Sequence, residues 1–442
     1  MSKRLILILA VLLGIGLCGT TYAAVQNVKV SGDLGISALS RDQFDLTRGV
    51  KGNSVDDSES MFISQARLRI DADLTDNVAT TVRLINERTW DTETNTNSDI
   101  DLDLAYATMK EFLYSPLSLT IGRQELRFGN GLVIGNANAS TNISAVTNGV
   151  PTDLSLRKAF DGIKAVLDYD PLMINVIYAK IDETSGVGGS KLNDDTNLYG
   201  AYASYNLGGK YASKVDAYLF DKKKSSTTSK SGAIDIKTVG VLLSAKPIED
   251  LTTSLEGAYQ FGHRDSTQHK KRAYALEFIS NYALPKVKFT PTVGFTYAYL
   301  SGDKNSGDNK DKAWDSMYYD QAVSNIAGAI LPFSDVSVYS LNGNAKLMED
   351  LNVSMVWAYY RLNQRLSAIQ SNKRDSLGNL YTYTMSPDSK NLGYEIDLTG
   401  TYDYTEDVQL GLTFGYFNPD KAFAANNRRD ATQLIGSMKV TF

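Results

Sequence analysis

The sequence predicts an all-β protein, a transmembrane antiparallel up-and-down β-barrel of eighteen strands with short periplasmic turns and long extracellular loops. Three observations carry that expectation. Apolar and polar residues alternate with a period of two from residue 27 to the last residue. Short turns and long polar segments take turns between the alternating stretches. After residue 25 no apolar run reaches the roughly 18 residues that a membrane-spanning helix needs.

The alternation is plainest in four places. Val28, Val30, Leu34, Ile36 and Ala38 interleave with Lys29, Ser31, Asp33 and Ser37. Phe62, Ala66, Leu68, Ile70 and Ala72 oppose Gln65, Arg67, Arg69, Asp71 and Asp73. Leu251, Leu255, Tyr259 and Phe261 oppose Ser254, Glu256 and Gln260. Leu392, Tyr394, Ile396, Leu398 and Tyr402 face away from Glu395, Asp397, Thr399 and Thr401. Short turns, several with Asp, Asn, Gly or Pro, are expected at 75–77, 113–116, 170–171, 208–212, 247–250, 283–286, 348–350 and 405–407. Long segments fall at 41–60, 91–100, 124–159, 181–196, 222–235, 262–271, 301–335, 363–390 and 418–431. Eight turns and nine loops make eighteen strands, an even number with both termini on the short-turn side, as a bacterial outer-membrane barrel requires. Phe442, the last residue, closes an alternating strand. The 26 Tyr and 34 Gly against 9 Pro suit strands ending in aromatic girdles, whereas a soluble sandwich would bury its apolar faces between two sheets.

The N-terminus sets the compartment. Lys3 and Arg4 precede an apolar run from Leu5 to Leu17, and Thr21 to Ala24 offer small residues for a signal peptidase. Residues 1–24 therefore read as a cleaved secretory signal and 25–442 as the barrel domain. Leu17 before Cys18 argues against a lipoprotein, and cleavage leaves no cysteine in the mature chain. Losing Lys3 and Arg4 moves the formal charge from −5 to −7, which disfavours nucleic acid as a partner. Strand one starts too close to the cleavage site for a plug domain, which argues against an energy-coupled transporter.

Parity assigns the lumen. Arg69, Arg83 and Lys164 lie about six residues above their periplasmic turns and Arg67 one pair higher, near mid-membrane at ~3.4 Å per residue. Glu256 and Glu277 come out level with each other across the barrel, with Glu395 and Asp397 a little higher. The expectation is a basic wall facing an acidic wall, a transverse field that tunes charge selectivity; the alternative is that the charges pair with lumen neighbours. Arg123 shares its parity with Leu117, Leu119 and Ile121, so a bulge or strand end at Gly122 is expected to turn it inward. Segment 124–159, rich in Gly, Asn, Ser and Thr, is a candidate to fold into the lumen and narrow it.

These short motifs, in this order, resemble the alginate export family of outer-membrane proteins: Gly122-Arg123-Gln124-Glu125, Gly129-Asn130-Gly131, Phe160-Asp161-Gly162, Ser301-Gly302-Asp303 and Gly393-Tyr394-Glu395-Ile396-Asp397. The resemblance covers most of the mature chain and implies an eighteen-stranded barrel with a charged, selective pore. The family's exporter passes an anionic polysaccharide along arginines and lysines, a part that Arg67, Arg69, Arg83, Arg123 and Lys164 would play here. The acidic wall of Glu256, Glu277, Glu395 and Asp397 departs from that pattern and suits a porin-like member better.

The expected function is therefore a porin-like channel for passive, charge-selective passage of small polar or anionic solutes in the outer membrane of a Gram-negative-type bacterium. An exporter of an acidic polysaccharide such as alginate is the alternative, and a closed structural or adhesive barrel the second. Outer-membrane lipid, lipopolysaccharide and the barrel-assembly machinery are the other expected partners; no strand shows an outer face that marks an oligomer interface. No enzyme, cofactor or metal is expected. The only histidines, His263 and His269, fall in one loop rich in Lys and Arg, with no Ser or Asp constellation to make them catalytic. Asp303, Asn305, Asp308, Asn309 and Asp311 in loop 301–335 lack the order and closing Glu of a Ca²⁺ loop and read as a solvated segment.

Overall fold

A computed structural model describes residues 27–47, 58–90, 100–139, 149–182, 196–225, 233–264, 269–305, 307–321 and 323–442. The signal peptide expected at 1–24 lies outside them.

Eighteen antiparallel strands close into a barrel. In chain order they are β1 Asn27–Asp42, β2 Glu59–Thr75, β3 Val78–Thr89, β4 Asp101–Met109, β5 Leu117–Gln124 and β6 Phe160–Asp168. Then come β7 Leu172–Asp182, β8 Thr196–Gly208, β9 Ser213–Lys224, β10 Ile234–Ile248, β11 Leu251–His263 and β12 Lys270–Ala283. The last six are β13 Thr292–Leu300, β14 Val336–Lys346, β15 Leu351–Leu362, β16 Asn391–Asp403, β17 Val408–Pro419 and β18 Ala431–Thr441. Each strand pairs with the next, and β1 pairs with β18 from Asp33↔Thr441 to Asp42↔Thr432, so the sheet has no free edge. That matters in hydrocarbon, where an unpaired backbone N–H or C=O finds no water.

The turns fall where the alternation breaks. Two differ: the β4–β5 connection begins at Lys110 rather than at 113, and the β12–β13 connection runs to Pro291 rather than ending near 286. Pro291 cannot donate to a ladder, and the turn folds on itself through Leu284 N–H to Pro291 O at 2.8 Å and Val287 N–H to Leu284 O at 3.1 Å. Loop 363–390 holds a small hairpin, Ala368–Arg374 with Leu380–Thr384, and loop 301–335 holds one short helix, α1 Ile326–Ile330; neither carries a signal in the alternation.

The seam between first and last strand rests on the terminal aromatic. Gly32 N–H donates to Phe442 O at 2.8 Å and Phe442 N–H to Gly32 O at 3.0 Å. The Phe442 ring lies over Gly32, where a Cβ would sit 2.6 Å from its Cζ and 2.7 Å from the Arg67 carbonyl oxygen. Only glycine fits there, and the ring covers the backbone that glycine leaves bare.

Two expectations about strand ends are corrected. The register of β5 runs unbroken through Gly122, which faces Tyr106 on β4 and Gly162 on β6, so there is no bulge there. Arg123 stays on the outer face, opposite Ala105 and Asp161 and beside the exposed Ile121 and Ile163. It is the next-to-last residue of β5 and pairs with Asp161 at 2.7 Å, so it sits at the rim, where an outward cation costs little. The irregularity lies one strand earlier, where Arg83↔Leu104 is followed by Leu84↔Leu102 and Asp103 becomes the extra residue. Leu392 likewise leaves the outer face: the register shifts between Tyr360 and Arg361, and Leu392 is buried.

The lumen contains a hydrophobic core. Phe160, Ile177, Leu198, Phe220 and Ile236 point inward from the wall and cluster with Leu126, Leu132, Ile134, Trp314 and Tyr318 from the two longest loops. Eighteen strands enclose more space than wall side chains fill, and the chain fills part of it with its own loops. Gly32→Val is expected to weaken the β1–β18 seam by about 1–3 kcal/mol through overpacking, read as a lower urea midpoint for the barrel refolded in lipid vesicles.

Candidate functional site: the luminal constriction

From β5 the chain turns into the barrel. Gln124 fixes the turn, its Nε2 donating to the carbonyls of Thr120, Gly122 and Gly162 at 3.2–3.4 Å. A tight loop follows, closed by Phe128 N–H to Ile134 O at 3.1 Å. Gly131 makes it possible: its φ is +82°, and a Cβ would meet the Asp320 carbonyl oxygen at 2.9 Å.

At the tip, Asn130 crosses to the far wall. Its Nδ2 donates to Glu277 Oε2 at 2.9 Å and Ser254 Oγ at 3.3 Å, and its backbone N–H to Glu256 Oε2 at 3.3 Å. The Tyr218 hydroxyl donates to the other oxygen of Glu256 at 2.8 Å. The returning chain is held by Glu87 of β3, which accepts from Ser155 Oγ (2.8 Å), Leu156 N–H (2.7 Å) and Arg157 Nε (3.0 Å). Arg41 of β1, buried, pairs with Asp153 and Gln433.

Segment 301–335 joins the first in one body. Gly135 N–H donates to Tyr318 O at 2.7 Å, Tyr318 N–H to Val133 O at 3.0 Å and Asp320 N–H to Gly131 O at 2.8 Å. The Asp320 carboxylate binds Arg127 on one oxygen and Lys158 at 2.8 Å on the other. Glu395 on β16 accepts from Ser324 Oγ at 2.7 Å and from the N–H groups of Ile326 and Ala327 at 2.6 Å, while Asp397 accepts from Asn325 N–H at 3.0 Å. The N–H groups of Asn325, Ile326 and Ala327 are N-cap and first-turn donors of α1 that the helix cannot satisfy itself.

The charges expected in the lumen are therefore placed as follows. Glu256 and Glu277 are register partners on β11 and β12. They and Glu395 and Asp397 face inward, but all four are buried under the inserted segments. Arg69 and Arg83 are register partners on β2 and β3. Arg67 pairs with Asp33 at 2.9 Å, Arg69 with Asp71 at 2.7 Å, and Arg83 with Asp103 and Glu125. Lys164, inward on β6, has no carboxylate partner among the described residues. It lines a cavity of about 470 Å³ beneath the Asn130 loop, together with Lys214, Asn175 and Tyr202 and with Glu125 and Arg127, which are themselves paired to Arg83 and Asp320. Lys214 is bonded to Asp216 at 3.0 Å.

Lys214 and Glu87 were readable by parity, the one beside a periplasmic turn and the other near the top of β3. Asp320 carried no signal, being one aspartate in a long polar loop. The aspartates of 303–311 are spent locally: Asp308 on Lys312 (3.5 Å) and Lys310 N–H (2.8 Å), Asp311 on Lys271 (3.0 Å). Among the described residues no group of three or more His, Asp or Glu is placed to hold a metal ion.

Two loop carboxylates sit in opposite fields. Burial pulls Asp315 upward, but Lys222 and Lys271 beside it outweigh that and hold it below the usual range. Burial raises Asp335 to about 7, against the opposing pull of the Gln364 N–H and Lys390. A carboxyl whose folded pKa lies above its unfolded value favours the folded loops fully below the unfolded pKa, and that contribution is lost as pH rises through about 7. The extracellular loops should thus resist protease better at pH 5 than at pH 8, and Asp335→Asn should flatten that difference. Glu395→Ala strands two backbone N–H groups and a hydroxyl, at on the order of 1–3 kcal/mol each. Faster cleavage within 301–335 and a larger single-channel conductance are expected.

Comparison with curated proteins gives no significant match. Among solved structures, Pseudomonas aeruginosa OccK2 (OpdF) in complex with glucuronate aligns at TM-score 0.57 and 12% identity over 95% of this chain and 99% of that one. Pseudomonas aeruginosa OpdK with vanillate aligns at 0.53 and 10% over 94% and 99%, and Acinetobacter baumannii OccAB2 at 0.56 and 13% over 95% and 99%. At such identities the likeness is one of fold. The sequence model described as alginate export matches residues 30–437, the whole barrel from β1 to within β18, and the chain belongs to that family of outer-membrane barrel proteins.

Proposed function

We propose that the barrel is a passive channel for small anionic solutes and that Lys164 is its principal anion contact. The observation that carries this is the ammonium of Lys164, without a carboxylate partner among the described residues, in a luminal cavity of about 470 Å³ beneath the Asn130 loop. Arg67, Arg69 and Arg83 each hold a carboxylate and present dipoles more than net charge. Selectivity then arises locally, where a bare cation meets the narrowing, rather than along a whole wall. The carboxylates Glu256, Glu277, Glu395 and Asp397 act as anchors: each is covered by a loop it binds and contributes little field to the open path.

On this reading segments 124–139, 149–159, 307–321 and 323–335 form the constriction and set the size limit. Passage of an acidic polysaccharide, the reading that the family name favours, needs a lumen clear along its length. The crossing from β5 to β11 and β12 at Asn130 favours small solutes instead. The barrels solved with glucuronate and vanillate, both carboxylates, support the same solute class through likeness of fold. The transport step needs no bond chemistry, only a site that an anion both occupies and leaves.

Planar-bilayer reversal potentials in a KCl gradient test this. The wild type is expected to prefer chloride, and Lys164→Glu to lower the anion-to-cation permeability ratio several-fold at unchanged fold. Equal ratios for the two proteins, or a folded barrel that never conducts, would sink the proposal.

A further inference from the structure

The outer face of β9–β13 carries a feature that the channel does not use. Register places Lys237, Phe261 and Arg272 side by side on β10, β11 and β12. One row toward the periplasm stand Val239, Tyr259 and Tyr274, and one row further Val241, Gly257, Leu276 and, on β13, Tyr299. One row toward the outside lie Asp235, His263 and Lys270, with Lys310 bridged beside Lys270.

Gly257 leaves a gap in this face. A Cβ there would meet only Leu276 Cδ1, at 3.9 Å. With Ala217 it floors a mostly apolar cavity of about 930 Å³, walled by Tyr274 and Tyr299, which stack at 5.4 Å and 12°. The row above is cationic and only partly neutralised. Lys237 is shared between Asp235 and Asp221, whereas Arg272 and Lys270 are exposed and have no carboxylate partner among the described residues. Arg272 lies eleven residues from the periplasmic end of β12 at Ala283. At ~3.4 Å per residue on a strand tilted ~40°, that puts it at the top of an apolar band ~25 Å tall, level with outer-leaflet headgroups. Gly257 and Leu276 fall below it, at the depth of acyl chains.

We propose that this face binds one molecule of a phosphorylated, multiply acylated lipid of the outer leaflet, the lipid A portion of lipopolysaccharide. Its phosphates take the guanidinium of Arg272 and the ammonium of Lys270, and one acyl chain fills the groove over Gly257. Charge complementarity selects this occupant over a second copy of the chain, because a two-fold contact would bring the same unpaired cations together. The proposal rests on the outer-membrane barrel and is independent of what the lumen passes.

Native mass spectrometry of the full barrel from mild detergent tests it, using purified bisphosphorylated lipid A, its dephosphorylated form and phosphatidylglycerol as probes. The wild type is expected to retain one bisphosphorylated lipid A. Arg272→Glu with Lys270→Glu should cut retention at least tenfold, and dephosphorylation should cut it comparably. Gly257→Leu, which fills open space, should cut it several-fold, with lumen conductance as in wild type confirming a folded barrel. If the charge reversals hinder insertion, Arg272→Gln with Lys270→Gln carries the same expectation. Undiminished retention by the variants, equal retention of phosphatidylglycerol, or a barrel dimer that excludes lipid overturns the proposal.

Discussion

Backbone hydrogen bonding in a medium without water governs everything else in this protein. A strand that crosses hydrocarbon must find a partner on both edges, and the pairing of β1 with β18 supplies the last one. Closure makes the strand number even, places both termini on the periplasmic side and divides side chains into those facing lipid and those facing the lumen. It also explains Gly32 and Phe442, a bare backbone and the ring that shields it at the seam where closure is made.

Closure creates a second problem, an interior wider than its wall side chains span. The chain answers with returning segments, each docked on an inward charge: Arg41 holds Asp153, Glu87 holds 155–157, Glu256 and Glu277 hold Asn130, and Glu395 and Asp397 hold the start of α1. A buried carboxylate is costly unless its lone pairs are satisfied. Here backbone N–H groups, hydroxyls and the Asn130 amide supply donors to Glu256, Glu277, Glu395 and Asp397, with Asp397 Oδ1 left without one among the described residues. The loops thereby gain fixed positions, and the carboxylates lose their field at the pore. On the opposite side the arginines find acids on their own or neighbouring strands, whereas Lys164, beside the cavity, has no carboxylate partner among the described residues.

The division between a luminal function and a lipid-facing one follows from the same alternation. Arg272 and Glu277 lie on one strand five residues apart, yet one meets the outer leaflet and the other a tether inside the barrel. Neighbouring strands keep that division in register, so a row of cations outside and a row of anchors inside coexist without interference.

Much of this was legible in the residues alone. Period-two alternation with short and long connectors specifies strand number, orientation and which side chains face inward, because each strand needs only its neighbours and a two-phase surrounding. Parity placed Arg69 level with Arg83 and Glu256 level with Glu277, as the ladders do. Where a bulge intervenes, parity misleads: Asp103 and Leu392 shift because one extra residue is absorbed, and Arg123 needed no bulge because Asp161 meets it at the rim. Only the tertiary structure decided what fills the lumen. Asn130, Asp153 and Asp320 lie in polar loops without periodicity, and their partners, on strands for the first two and in the other loop for Asp320, are more than a hundred residues away, so no local pattern encodes their contacts. The sequence by itself determined the barrel and its two faces; the fold decided which charges are spent on anchoring and which remain free to meet a solute, because pairing depends on distances that only the closed barrel sets.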